Sequence, residues 1–270
     1  MNVIKILFWN IKNNLNAVPT LSDLCLENKI DIAILCEVSK IPERLIVKSL
    51  RKIDPKFVSV LPLPSNRTLL FHNKKHKITK HHDGKFYSLF KIKEDDSLIL
   101  LISLHLPSML HLEEEDIGYQ AVQIKREIEI HEKELLTNKT IVVGDFNLNP
   151  FSKLLVSATG FNAVMDDRVA LKKFKTVSQV KYSYFYNPMW TLHGNVKNEV
   201  LGTYFYHKKP TSYIWNVFDQ VIIRPELIER FNFEELEILN KVNDESLLNT
   251  NGRPNDKLYS DHLPIKFEII

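Results

Sequence analysis

The sequence predicts an α/β protein in which two mixed β-sheets pack face to face with helices outside. Three observations predict it. Apolar, strand-like runs alternate with amphipathic helical ones at the start of the chain. Hairpin-like runs of strands follow in the middle of each half. Several apolar runs stop abruptly at a polar residue, which would gather polar side chains along one rim of the sheets. With 270 residues, 44% hydrophobic and 26% charged, the chain is long and apolar enough to bury such a core.

Val3–Trp9 is an apolar strand ending at Asn10. Thr20 with Asp23 reads as a capping box opening a helix to about Asn28. Ile30–Cys36 is a second buried strand ending at Glu37, and Pro42–Lys52 is an amphipathic helix with its proline in the first turn. Phe57–Leu61, Thr68–His72, Phe86–Ile92 and Ser97–Leu104 read as successive strands, the last ending at His105. From Glu113 to Leu136, Ile117, Ala121, Ile124, Ile128 and Leu135 form a stripe at helical spacing. The β-branched run Thr140–Val143 is a central strand that stops at Gly144 and delivers Asp145 and Asn147 to the same side. A short helical pattern, Phe151–Ala158, follows Pro150. Residues Phe161–Pro210 are aromatic-rich and irregular. Trp215–Ile223 returns to strand character around Asp219, a loop covers Asn243–Lys257, and Leu263–Ile270 is a closing strand. Repeats and linker-like stretches are not evident, so a single domain, 1–270, is expected.

Composition narrows the class. A net charge of +3 does not by itself announce a nucleic-acid binder. Cys25 and Cys36 stand in apolar surroundings and read as reduced core thiols. Lys5 interrupts the apolar start, and no small-residue cleavage site follows it, so Met1–Asn10 reads as a strand and not as a signal peptide. The expectation is a cytoplasmic protein with no membrane span and no obligate protein partner.

The polar residues at strand ends are Asn10, Glu37, His105, Asp145, Asn147, Asp219, Asp261 and His262. Carboxylates without a cysteine suit a hard cation, magnesium (Mg2+) or manganese (Mn2+). Two histidines, each with a carboxylate to pair with, suit charge stabilisation and proton transfer.

W-N at Trp9-Asn10, I-L-C-E ending at Glu37, S-L-H-L-P around His105, G-D-F-N at Gly144–Asn147 and S-D-H-L-P from Ser260 stand in this order. In that order they resemble the endonuclease/exonuclease/phosphatase superfamily, along essentially the whole chain. The resemblance implies a four-layered α/β sandwich and metal-dependent cleavage of phosphate esters. It implies that Glu37 is the principal metal ligand, with Asn10 in or around the coordination shell and Asp261 supporting the metal or its waters. Asp145 would orient or deprotonate the attacking water, and Asn147 would hold a phosphate oxygen. His262, kept in one tautomer by Asp219, would stabilise the phosphorane-like charge, and His105 would face the same phosphate from the other side.

The chain also departs from the family. Lys12 stands where abasic-site endonucleases carry an acid, and His105 where they carry a tyrosine, so abasic-site repair is disfavoured. Cys36 replaces the usual glutamine before the metal-binding glutamate, and F-D-Q at Phe218–Gln220 replaces the usual I-D-Y.

Substrate identity rests on two stretches. Asn73–Lys85 is a basic, hairpin-like loop whose Lys74, Lys75, Lys77, Lys80 and Lys85 offer contacts to a phosphate backbone, with Lys74, Lys75 and Lys77 the candidate substrate-binding residues. Its His76, His81 and His82 lack regular ligand spacing and are expected to be exposed loop residues. Tyr182–Trp190, Tyr204–Tyr206 and Tyr213–Trp215 offer aromatic faces for unpaired bases, or simply pack. The expectation is a metal-dependent phosphodiester hydrolase, a nuclease with DNA preferred. The alternatives are a phosphatase or phosphodiesterase for a lipid or small-molecule ester, and a catalytically silent binding module.

Overall fold

In the computed structural model, which describes residues 3–60, 67–95, 97–108, 114–195, 197, 199–208, 210 and 212–270, the first half alternates as the sequence predicts. It runs β1 (Ile4–Asn10), α1 (Ala17–Glu27), β2 (Ile32–Cys36), α2 (Glu43–Leu50), β3 (Phe57–Val60), β4 (Thr68–Asn73), β5 (Lys77–Asp83) and β6 (Tyr87–Lys93). β7 (Leu98–His105), α3 (Glu114–Glu134) and β8 (Thr140–Asp145) complete it. The second half is made of shorter pieces. α4 (Lys153–Val156), β9 (Ala163–Val164) and α5 (Asp167–Ala170) lead to a hairpin of β10 (Phe174–Val177) and β11 (Val180–Ser183), then to β12 (Phe185–Tyr186). β13 (Tyr204–Tyr206), β14 (Ile214–Asn216), β15 (Asp219–Ile223) and β16 (Phe231–Ile238) follow. The small pair β17 (Lys241–Val242) and β18 (Glu245–Ser246) precedes the closing β19 (Ile265–Ile269).

Two mixed sheets result. One has the order β16-β19-β1-β2-β4-β3, the other β5-β6-β7-β8-β15-β12-β9. Each contains a parallel pair of long strands, β1 with β2 and β7 with β8, flanked by antiparallel neighbours. β2, β8 and β15 are buried along their whole length because both faces are covered. On β7, Ile99 and Leu101 join the core shared with the six-stranded sheet. Leu100, Ile102 and Leu104 point the other way, onto the predicted α3 stripe of Ile117, Ala121, Ile124 and Ile128. With α1 and α2 packed on the six-stranded sheet, the layers are helix, sheet, sheet, helix. Among the described residues, no helix is long and apolar enough to cross a membrane.

The structure departs from the sequence expectations in several places. α1 begins at Ala17, and Thr20 is buried inside it, so Thr20 and Asp23 do not form its capping box. Asn73–Lys85 is largely strand: β5 pairs with β6 as the edge of the seven-stranded sheet. Its Lys and His residues hid it, yet charge on an outermost strand is how sheets avoid pairing with other chains. His76 is buried beside Asp31 rather than exposed. Trp215–Ile223 is not one strand. It breaks at Val217-Phe218 because side chains take the backbone donors: Asn149 Oδ1 accepts from Val217, and Thr203 Oγ1 from both Phe218 and Asp219. Phe151–Ala158 shrinks to the single turn α4. The expected strand end Leu61 and helix start Glu113 lie outside the described residues.

Candidate active site

The two parallel pairs end at the same rim. In β1 and β2, Asn10 is in register with Cys36, so Glu37 emerges one residue beyond. In the other sheet, His105, Asp145 and Asp219 lie in one row across β7, β8 and β15. Close backbone approach makes Gly144 necessary here: a Cβ on it would overlap the Leu104 carbonyl of β7. Asn10 then joins the sheets. Its Nδ2 donates to Asp145 Oδ2 at 3.0 Å and to Glu37 Oε1 at 3.1 Å, while its Oδ1 accepts from the Lys12 backbone at 3.0 Å. His105 Nε2 stands 3.8 Å from both Glu37 Oε1 and Asp145 Oδ2, and its buried Nδ1 has no hydrogen-bond partner among the described residues.

On the far side of Asp145 lies His262. Its Nδ1 donates to Asp219 Oδ2 at 2.8 Å, and its Nε2 faces Asp145 Oδ2 at 3.9 Å. Asp219 is fully buried. The loop carrying His262 is pinned at both sides: Trp9 Nε1 donates to the His262 carbonyl at 2.9 Å, and Ser260 Oγ donates to the Asn10 carbonyl at 2.6 Å. Burial disfavours the imidazolium, but the Asp219 and Asp145 carboxylates outweigh it and raise the His262 pKa to about 10. His262 is therefore a cation at neutral pH, with its Nδ1 committed to Asp219 and its Nε2 turned toward the cluster. Tyr204 covers this ring, with centroids 4.6 Å apart.

Glu37 is only partly buried and sits at φ 51°, a left-handed conformation that costs a residue of this type about 1–2 kcal/mol. Asn147 shares that conformation, φ 50°, which asparagine tolerates better. Its backbone donates to Asp145 Oδ1 at 2.9 Å and its Nδ2 to the Leu106 carbonyl at 2.9 Å. F-D-Q also has a role in this loop: the Gln220 amide accepts from Asn187 Nδ2 at 2.9 Å and donates to the Leu148 carbonyl.

Of the residues expected at the site, Asn10, Glu37, His105, Asp145, Asn147, Asp219 and His262 converge. Asp261 comes near but is taken by Lys12, whose Nζ lies 2.8 Å from its carboxylate. Lys74, Lys75 and Lys77 are not brought to the site. The β4 end beside Cys36 is Thr68, whereas Asn73 hydrogen-bonds Asp31 at the start of β2. Lys75 faces Asp31 at 3.7 Å, and Lys77 pairs with Lys93 at the start of the β6–β7 hairpin. These lysines stand at the opposite ends of the strands, roughly 20 Å from the cluster at strand rise.

Lys85, the last lysine of the expected basic loop, and Arg67, which no sequence expectation placed at the site, do stand on this rim. Phe86 accepts a hydrogen bond from the His105 backbone, and both cations lie over its ring, at 4.9 and 5.1 Å. Arg67 carried no sequence signal, since only its position before Thr68 places it there.

Two carboxylate oxygens, Glu37 Oε1 and Asp145 Oδ2, thus converge on one neutral amide nitrogen. An all-oxygen pair of this kind at a partly exposed rim fits a hard divalent cation. Cys36, His105 and Asp145 also lie close enough together to ligate an ion. Burial, and then Asp145, pushes the Cys36 thiol well above its ordinary range, so without a metal it stands as a neutral thiol.

The fold is an α/β sandwich similar to that of solved endonuclease/exonuclease/phosphatase family structures. Solved structures of that type superpose on nearly the whole chain. D. rerio TDP2 complexed with single-strand DNA product has 14% identity and a TM-score of 0.56, covering 100% of both chains. An endonuclease/exonuclease/phosphatase family protein from Bacteroides thetaiotaomicron has 14% identity and a TM-score of 0.58, covering 99% of this chain and 98% of its own. The endonuclease domain of TRAS1, a telomere-specific non-LTR retrotransposon, has 11% identity and a TM-score of 0.53, covering 98% of each. No protein-family model and no curated protein sequence matches the chain. At these identities the likeness establishes the fold, and the chemistry rests on the rim itself.

Proposed function

We infer that the protein is a divalent-metal-dependent phosphodiester hydrolase acting on nucleic acid, with DNA preferred. One observation carries this reading: Asp145 Oδ2 is shared by Asn10, His105 and a cationic His262 that is itself held by the buried Asp219. An unpartnered carboxylate as buried as Asp219 would be costly, so the pair is a built device and not a chance strand end. Glu37 and Asp145, with Asn10 beside them, would hold magnesium or manganese, which supplies charge neutralisation to an anionic diester.

The side chains divide the remaining work. Asp145 orients the attacking water and takes its proton. His262 donates from Nε2 to a phosphate oxygen as negative charge builds, while Asp219 keeps Nδ1 occupied and the ring in one orientation. His105 faces the same phosphate from the β7 side, and Asn147 offers its second amide hydrogen to a phosphate oxygen. Asp261 acts through Lys12 in this reading, placing a cation beside Glu37.

Nucleic acid is favoured by what borders the rim. Arg67 and Lys85 offer charge, and Tyr204 and Tyr206 stack with an interplanar angle of 11° next to His262. Tyr213 is 66% exposed and packs edge-on against Phe151. Aromatic faces beside a phosphate-cleaving centre suit unpaired bases, in line with the single-strand product bound to the D. rerio structure. The small-ester alternative gains from the remote position of Lys74, Lys75 and Lys77, which removes the extended basic track the sequence predicts.

The test is turnover by the full chain, with magnesium or manganese, on plasmid, single-stranded DNA, RNA, phosphoinositide and a generic phosphodiester. Cleavage of single-stranded DNA well above the generic ester is expected. Hydrolysis of the phosphoinositide or the generic ester alone moves the assignment to a small-molecule phosphoesterase.

A further inference from the structure

A second cluster of metal-ligating side chains lies on the outer face of the seven-stranded sheet, between the edge strand β5 and the last turns of α3. It depends on a backbone irregularity. Lys80 pairs with Phe90 and His82 with Leu89, so His81 is an extra residue bulged out of the ladder. In a regular strand His81 and His82 would point to opposite faces. The bulge re-aims them, and both rings meet His131 of α3, with centroids 5.0 and 4.7 Å away. Glu134 follows one helical turn after His131, on the same face, with 3.2 Å between Oε2 and His131 Nδ1. The same oxygen lies 3.8 Å from His81 Nε2. That nitrogen is buried and has no hydrogen-bond partner among the described residues.

We propose that His81, His131 and Glu134 form a transition-metal site, for zinc or an ion of similar preference, outside the catalytic rim. Their ligand atoms already lie within 4.8 Å of one another. A tetrahedral ion with bonds of about 2.0–2.1 Å separates its ligands by roughly 3.3 Å, so closure takes a side-chain adjustment and no backbone movement. Two imidazoles and one carboxylate are a borderline donor set that favours zinc over the hard cations suited to Glu37 and Asp145. His82, tilted against His131, borders the remaining coordination position. The bound ion would tie the edge strand to α3.

A simple helix-surface pair of His131 and Glu134 is the competing account, and it leaves the orphaned His81 nitrogen unexplained. The experiment is thermal melting and calorimetry of the full chain in excess magnesium, with and without Zn2+, followed by Co2+ absorption spectroscopy. Zinc at 100 times its dissociation constant should raise the melting temperature by about 5 °C. Co2+ should give the intense visible band of four-coordinate cobalt.

Glu134→Gln and His131→Ala should abolish both responses and leave magnesium-dependent turnover unchanged. Glu134 is exposed, so Glu134→Gln keeps the test valid if His131→Ala folds poorly. Glu37→Gln should retain the zinc response. No zinc binding by the wild type, an equal response in Glu134→Gln, or loss of the response in Glu37→Gln would each overturn the proposal.

Discussion

At the carboxyl ends of β1, β2, β7 and β8, Glu37 and Asp145 each lie 3.0–3.1 Å from Asn10 and 3.8 Å from His105. At the opposite ends, Lys74, Lys75 and Lys77 stand exposed, with Lys75 3.7 Å from Asp31. By charge the second region is the stronger signal in the sequence. By geometry it is the weaker, because solvated lysines gain little from a partner and constrain nothing. The first region buries His262 against Asp219, seats Glu37 in a strained backbone and leaves a nitrogen of His105 without a partner among the described residues. Such costs persist where the surrounding structure enforces them, and they cluster at functional sites.

The largest expected effect breaks the first region outright. Glu37→Gln should lower metal-dependent turnover at least ~100-fold, as removing one preorganised charged group typically does, and calorimetry should show weakened magnesium binding. Full affinity in the variant would remove Glu37 from the ligand set. Glu37→Gly separates strain from function: it should also abolish turnover yet stabilise the fold by about 1 kcal/mol, because glycine accepts a positive φ without cost. Chemical denaturation checks the sign.

The next effect concerns the pair of His262 and Asp219. His262→Ala and Asp219→Asn should each cost roughly 10²–10³ in turnover, and the double variant little more, because both remove one unit. If the double loss equals the product of the single losses, the two side chains act independently. The pair also sets a pH dependence. The folded pKa of His262, about 10, lies above its unfolded value, so its stabilisation is fully present below the unfolded value and is lost as pH rises through about 10. Melting temperature should therefore fall over that alkaline window in the wild type and not in His262→Ala. In Asp219→Asn the alkaline limb of the rate profile should move to lower pH.

The smallest effects compare the two rims directly. Replacing Arg67 and Lys85 by Ala should weaken binding to single-stranded DNA and flatten the log–log salt dependence by about 0.7 for each phosphate left without its cation. Replacing Lys74, Lys75 and Lys77 by Gln should leave affinity, salt slope and turnover unchanged. A flattened slope in the lysine variant would mean that nucleic acid reaches round to the far rim.

The sequence by itself determined the strands whose ends converge at the candidate site. Ile32–Cys36 and Thr140–Asp145 are buried on both faces, so they read as continuous apolar runs, and the polar residue that ends each run is conspicuous. The α3 stripe was legible for the same reason, since a helix against a sheet must repeat its apolar face at 3.6 residues. Tertiary structure decided what local pattern does not encode. β5 is an edge strand with a solvated face, so its lysines and histidines masked it, and the bulge that turns His81 and His82 onto α3 exists only through pairing with β6. Arg67 and Lys85 became neighbours of His105 through the β4 and β6 registers, and Asp261 was drawn to Lys12 from the other end of the chain. Periodicity is a property of one element, whereas convergence belongs to the registers and sheet packing that relate several.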